Sequence, residues 1–299
     1  MTDAIVTEEL SKRYGETLAL DALALTVHEG EVYGYLGPNG AGKTTTIRLL
    51  LGLHRPTTGR AKLFGIDAWR DPVEAHRRVA YVAGEPFLWP ALTGAETLEY
   101  LACLHGGTDT AYRDQLIDRF QLDTRKKIRA LSKGNRQKVQ LVAALATRAD
   151  LLLLDEPTSG LDPLMEVAFR DCIREAKGRG QTVFLSSHIL SEVEALCDRV
   201  GILKAGKLVD QGTLAELRHL SRQTVEVTFD GPPPPLASLV GVTATSAGPN
   251  AIRYEVSGGV GPLIASLAGQ RLVSLTSREP SLEEIFLHHY DGSDGHVGR

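Results

Sequence analysis

Gly37-Pro38-Asn39-Gly40-Ala41-Gly42-Lys43-Thr44, followed by Thr45, carries the most specific chemistry in this chain of 299 residues. Its spacing is that of a phosphate-binding loop, G-x-x-x-x-G-K-[ST], between an apolar run ending at Leu36 and a helical stretch reaching Leu51. Phosphates need many donors. Glycines let consecutive backbone N–H groups turn inward, and the following helix N-terminus adds positive potential. Lys43 is expected to reach the β and γ phosphates of a nucleotide, and Thr44 Oγ to ligate Mg²⁺. Farther along, Leu151–Leu154 run into Asp155 and Glu156. A carboxylate at the end of a buried apolar strand is costly unless something pairs with it, and a Mg²⁺ held by Thr44 would pair with Asp155. Glu156 is then placed to activate a water for attack on the γ-phosphate, as a general base. The two segments together point to a P-loop ATPase or GTPase.

Such groups need a rigid frame. From Ala4 to about Leu220, short apolar runs alternate with helical patterns: Glu31–Leu36, Val79–Ala83, Leu151–Leu154, Thr182–Leu185 and Val200–Leu203. Nearly continuous apolar strands separated by helices predict a parallel sheet covered on both faces, an α/β fold. The first 28 or so residues read as two strands about a KRYG turn, an antiparallel edge. Residues 85–150 are mainly helical, with Thr93 capping one helix, then Ala111–Phe120 and Asn135–Arg148, a helical subdomain inserted in the α/β body. After residue 220 the pattern changes. A strand over Ser221–Asp230 meets Pro232–Pro235, and strand, strand, helix, strand and a last helix from Ser281 follow. Ser281 and Glu284 form a capping box, with Leu282, Ile285 and Phe286 on one face. The expected division is 1–220, a small α+β domain at 221–290, and a polar tail at 291–299.

Composition sets bounds. Thirty-three basic and 37 acidic residues give a net charge of −4, and the pI is about 6.2, so no basic field recommends nucleic acid as a partner. Three scattered cysteines without a CxxC fit a reducing compartment better than disulfides or zinc. The start MTDAIVTEEL has no apolar signal core, and no run approaches the ~18 apolar residues of a membrane span. The expectation is a soluble chain. The basic run Arg125–Arg129 reads as a solvated loop, and His288-His289 as helix surface.

Three further segments choose among nucleotide hydrolases. Leu131-Ser132-Lys133-Gly134-Asn135-Arg136-Gln137 opens a helix. Asp155-Glu156-Pro157-Thr158-Ser159-Gly160-Leu161-Asp162-Pro163 follows the apolar strand, and Ser186-Ser187-His188 follows the next. Over about residues 4–220 the chain resembles the ATP-binding subunits of ABC transporters, whose signature is LSGGQ, whose D-loop is SGLD and whose switch histidine follows a strand. The resemblance implies that Ser132 and the Gly134 N–H face the γ-phosphate of ATP held by another subunit, so that a complete site needs two copies or a sister subunit. It implies γ-phosphate sensing by His188, D-loop contact by Asp162 and adenine stacking on Tyr14. Each has a plainer alternative: Ser132 as a helix cap, His188 as a hydrogen-bonded core histidine, Tyr14 as a turn tyrosine.

The chain also departs from the pattern. Lys133 and Asn135 replace Gly and Gln in the signature, with Lys133 expected to bring positive charge near the γ-phosphate. Gly84 stands where the family usually has a glutamine. Glu85 is the obvious substitute as a Mg²⁺ ligand, and a shifted loop or a missing ligand are the alternatives. Phe87–Leu92 is an apolar cluster, either core under the helical subdomain or, by resemblance, a groove for a helix of a membrane subunit.

The layout most resembles ATPases of ABC-2-type exporters, including bacterial drug and antibiotic efflux systems. That implies ATP and Mg²⁺ as cofactors, a multi-spanning membrane permease and a second ATPase subunit as partners, and a place at the cytoplasmic face of the membrane. The rival readings are a soluble ABC protein acting on DNA or ribosomes, which should show tandem cassettes or a basic face, and a weakly hydrolysing regulatory subunit.

Overall fold

The computed structural model describes residues 2–220, 223–234, 239–257, 259–278 and 281–291. They fall in two compact units, 1–211 and 212–299. In the first, β3 (Val32–Leu36), β6 (Val79–Val82), β7 (Leu151–Asp155), β8 (Thr182–Ser187), β9 (Arg199–Lys204) and β10 (Lys207–Thr213) make one sheet in the order β10-β9-β3-β8-β7-β6. The five apolar runs read from the sequence are β3, β6, β7, β8 and β9, and their pairings are all parallel. β3 and β7 are buried at every position, which is why they lack polar alternation. β10 follows β9 through Ala205 and Gly206, both at positive φ as a tight hairpin turn requires.

β1 (Asp3–Tyr14) and β2 (Thr17–His28) are the predicted antiparallel pair, but they do not edge this sheet. With β4 (Thr58–Leu63) and β5 (Ile66–Asp67) they make a second sheet, β2-β1-β4-β5. β1 pairs with β4 by placing Ile5 against Leu63 and Thr7 against Ala61. Its apolar positions face the same core as Tyr33, Tyr35 and Ile47. The two sheets therefore grip α1 (Lys43–Leu50), the helix behind the phosphate loop.

After α2 (Pro72–His76) and β6 come α3 (Gly94–Leu104), α4 (Thr110–Arg119) and α5 (Lys133–Ala146). α3 starts at a complete capping box, Thr93 with Glu96. α5 presents Val139, Leu141, Val142 and Leu145 to the core, and α4 closes over it through Leu116 and Phe120. α6 (Pro163–Gly178) and α7 (Leu190–Leu196) complete the unit.

The second unit begins with α8 (Leu214–Leu220), capped reciprocally by Thr213 and Glu216. β11 (Gln223–Phe229), β12 (Val242–Gly248), β13 (Ala251–Val256) and β14 (Leu272–Arg278) form an antiparallel sheet in the order β12-β13-β11-β14. α9 (Gly261–Leu267) covers one face, with Leu263 and Leu267 against Val225, Val227, Phe229 and Tyr254. α10 (Leu282–Asp291) carries the Ser281–Glu284 capping box and packs on α8. Pro235, the tail after Asp291 and the side chains of His288 and His289 lie outside the described residues. Cys103, Cys172 and Cys197 are all free thiols. Among the described residues no helix is long and apolar enough to cross a membrane.

Candidate functional site

β3 ends in the phosphate loop. Gly40 and Gly42 are both at positive φ, and a Cβ on Gly42 would lie 2.7 Å from the Ala19 carbonyl oxygen, so the turn into α1 admits only glycine there. Gly37 and Ala41 are buried, whereas Pro38, Asn39 and Gly40 form the exposed crown. α1 has no side-chain cap on its first N–H groups. Those unpaired donors are what an anion at a helix N-terminus uses.

Lys43 is only 5% exposed and donates through Nζ to the Gly37 carbonyl at 2.7 Å and the Pro38 carbonyl at 3.2 Å. The ammonium is thus folded back into the crown of its own loop. Thr44 Oγ1 donates to Asp155 Oδ2 at 2.9 Å, and Ser186 Oγ donates to Asp155 Oδ1 at 3.0 Å. Burial nonetheless pushes the Asp155 carboxyl above its ordinary range, with the two hydroxyls and Lys43 pulling the other way and Glu156 adding to the rise. A hydroxyl and a costly buried carboxylate side by side suit a small hard cation, which takes oxygen ligands. Thr45, next along α1, is half-buried.

Glu156 sits at φ 46°, left-handed backbone that a non-glycine residue adopts at a cost of ~1–3 kcal/mol. The strain aims its carboxylate. Oε1 lies 3.5 Å from Lys43 Nζ and 3.2 Å from His188 Nδ1. The backbone is held by the Glu156 N–H donating to the Ser186 carbonyl at 2.9 Å. Lys43, Thr44, Asp155, Glu156 and His188, which span nearly 150 positions of sequence, are therefore brought to one place by the parallel order β3-β8-β7.

Ser132 caps α5, its Oγ accepting from the Asn135 N–H at 3.2 Å, and Asp162 caps α6 by accepting from the Met165 N–H at 3.1 Å. A Cβ on Gly134 would stand 2.2 Å from the Gly160 carbonyl oxygen, so the signature and the loop after β7 touch through backbone. Lys133 Nζ donates to Ser159 Oγ at 3.1 Å, which fixes its charge on that loop. No bond or ion pair joins Ser132, Gly134 or Asp162 to the phosphate loop of the same chain among the described residues.

Tyr14 is 39% exposed at the end of β1, with its hydroxyl 2.6 Å from His54 Nδ1 and Lys12 Nζ 4.8 Å from the ring centre. Glu85 is exposed, and among the described residues no hydrogen bond or ion pair joins it to Asp155 or Thr44. Gly84 instead backs onto the end of β7, where a Cβ would be 3.1 Å from the Asp155 carbonyl oxygen.

Two residues of α5 tie this loop down: Gln137, which ends the helix-opening segment but carries no role there, and Gln140, which lies outside every motif. Gln137, fully buried, donates to the carbonyls of Pro157 at 3.1 Å and Ala83 at 3.4 Å, and Gln140 Oε1 accepts from the Ala83 N–H at 3.0 Å. The available signal was their position on the apolar face of a helix otherwise built from Val, Leu and Ala. Phe87, 95% exposed, and Trp89 flank an apolar groove with Leu53, Val73 and Leu104, while Leu88 between them is buried, so the cluster after Gly84 is part surface and part core.

A parallel sheet whose first buried strand feeds a glycine-rich loop and helix, with Asp155 and Glu156 two strands away, defines a P-loop nucleotide hydrolase. Residues 20–159 match the family model described as ABC transporter. A daunorubicin resistance ATP-binding protein of Streptomyces coeruleorubidus is 36% identical over 301 residues, covering 95% of each chain. A bacitracin transport ATP-binding protein of Bacillus licheniformis is 39% identical over 229 residues, 76% of this chain and 75% of its own. The solved structure of an ATP-binding subunit of an ABC transporter matches with a TM-score of 0.68 at 33% identity, covering 72% of this chain and 92% of that one. The chain belongs to the ABC transporter family, as an ATP-binding subunit, and is an ATPase.

Proposed function

We propose that this subunit energises export of drugs, antibiotics or other amphipathic compounds through a separate membrane permease, at whose cytoplasmic face it works. Its relatives named for daunorubicin resistance and bacitracin transport support that class of cargo. The Phe87–Trp89 groove suits an apolar helix of the permease, since large exposed apolar patches mark interaction sites. Two copies of the chain form the working unit, because each carries one phosphate loop and one signature that do not meet within the chain.

The observation that carries the mechanism is the convergence of Lys43 and His188 on one oxygen of Glu156. In this reading the N–H groups from Gly40 to Thr45 and Lys43 hold the phosphates, Tyr14 stacks on adenine, and Thr44 and Asp155 hold Mg²⁺. Bound there, Mg²⁺ supplies charge neutralisation on the phosphates. Lys43 leaves the Gly37 and Pro38 carbonyls for the phosphates and frees Glu156 to orient and deprotonate the attacking water. His188 steadies Glu156 and senses the γ-phosphate. Ser132 and the Gly134 N–H reach the nucleotide of the second copy, with Asp162 fixing the loop beside them.

Glu156→Gln tests this directly. It should bind ATP, accumulate as a nucleotide-bound dimer, and lose about 10²-fold or more in turnover, the scale of a general base. Gel filtration with ATP and a phosphate-release assay read both effects, and undiminished turnover would remove Glu156 from that role.

A further inference from the structure

We infer that Glu192 is a positioning residue for hydrolysis: through its bond to Ser187 it fixes the backbone that delivers His188 to Glu156. Ser187 is the last residue of β8 and is buried. Its Oγ donates to Glu192 Oε2 at 2.7 Å and accepts from the Ile189 N–H at 3.0 Å. One hydroxyl therefore ties down both neighbours of His188, and Glu192 on α7 sets where that hydroxyl stands. His188 can place Nδ1 3.2 Å from Glu156 Oε1 only while this turn holds its course. Thr158, two residues after Glu156, hydrogen-bonds the same carboxyl through its side chain, so Glu192 sits between the loops that carry the two reacting side chains.

A purely architectural role does not account for the residue. Glu192 is 7% exposed, and Oε1 has no hydrogen-bond partner among the described residues. Burial and the charge of Glu166 push its carboxyl up, while Ser187, Thr158 and His188 oppose the rise. A buried polar group left half-satisfied costs stability, and an apolar side chain of similar volume would remove that cost while leaving the buried Ser187 hydroxyl without its acceptor, so the two offset. Its use lies in the bonds it does make, to Ser187 first and to Thr158.

The inference rests on the roles given above to Glu156 and His188, and it separates activity from stability. Glu192→Leu keeps the volume and removes the acceptor. In the full-length protein it should change the melting temperature little, since relief of the buried carboxyl offsets the orphaned Ser187 hydroxyl, leave ATP affinity unchanged and lower kcat about tenfold. Glu192→Gln can still accept from Ser187 and should restore kcat to within about twofold of wild type. Ser187→Ala removes the other end of the bond and should match Glu192→Leu, and the double variant should lose no more than either alone, the mark of two residues acting as a unit. A folded Glu192→Leu with full kcat, additive losses in the double variant, or a Gln variant as slow as the Leu one would each overturn the inference. Should Glu192→Leu fail to fold, Ser187→Ala alone carries the test, and full kcat there refutes it. An active Glu156→Gln would instead sink the underlying reading while leaving these comparisons measurable.

Discussion

Asp155 shows how a residue can work against the fold that holds it. Its carboxyl lies at the buried end of β7, and burial outweighs the hydroxyls of Thr44 and Ser186, so its folded pKa stands above the unfolded value of 3.8. The sign follows from proton linkage. As pH rises past 3.8 the unfolded chain ionises first, so the folded protein loses stability until its own carboxyl has ionised, and the penalty stays in force at higher pH. Asp155→Asn should therefore raise the melting temperature near pH 7, by about 2–4 °C per kcal/mol for a chain of this size, while abolishing Mg²⁺-dependent turnover. The gain should shrink as the pH approaches 3.8. Melting curves across that range check it, and a variant melting below wild type at neutral pH would refute the sign. At this scale the sequence was legible where chemistry demands a residue type: Gly42, Lys43, Thr44, Asp155 and Glu156 were all readable. The Lys133 bond to Ser159 was not, because only the fold sets that hydroxyl within its reach.

Among elements, α5 links the signature to the hydrolytic loops. Its N-terminus abuts the loop after β7 at Gly134 and Gly160, and Gln137 binds that loop and the end of β6 together. Gly134→Ala would drive a methyl into the Gly160 carbonyl, forcing α5 and the loop apart. It should leave ATP binding to the isolated subunit within about threefold, since Lys43 and Thr44 are untouched, and lower turnover by at least about tenfold. Nucleotide titration beside steady-state kinetics separates the two, and loss of binding would show that the phosphate loop depends on this contact. The parallel strands were readable because burial on both faces leaves continuous apolar runs. β4 and β5 were not, because TGRAKL buries only Ala61 and Leu63 and its pairing with β1 spans some fifty residues. That non-local pairing is what turned an expected sheet edge into a second sheet.

For the whole molecule, the two units predict where the chain can be cut. The sequence suggested a boundary at residue 220, where composition changes. In the structure the first unit ends at Gln211, and α8 packs with α10 in the second. A chain of residues 1–211 should melt cooperatively and bind ATP within about threefold of the full protein, a difference below 1 kcal/mol. A chain of residues 1–221 keeps α8 but loses α10, leaving Leu217 exposed, and should aggregate more readily in light scattering. Equal behaviour of the two would place α8 outside the second unit's core. The sequence by itself determined the class, because the phosphate loop, the acidic pair at a strand end and the helix-opening signature each set particular side chains at short, fixed spacings. It also determined the strands and caps that local pattern encodes. What only the tertiary structure decided was which distant groups meet: His188 with Glu156, Thr44 with Asp155, Lys133 with Ser159, Gln137 with Pro157, and β1 with β4. Those contacts depend on strand order and on loops crossing in space, which spacing along a chain does not encode.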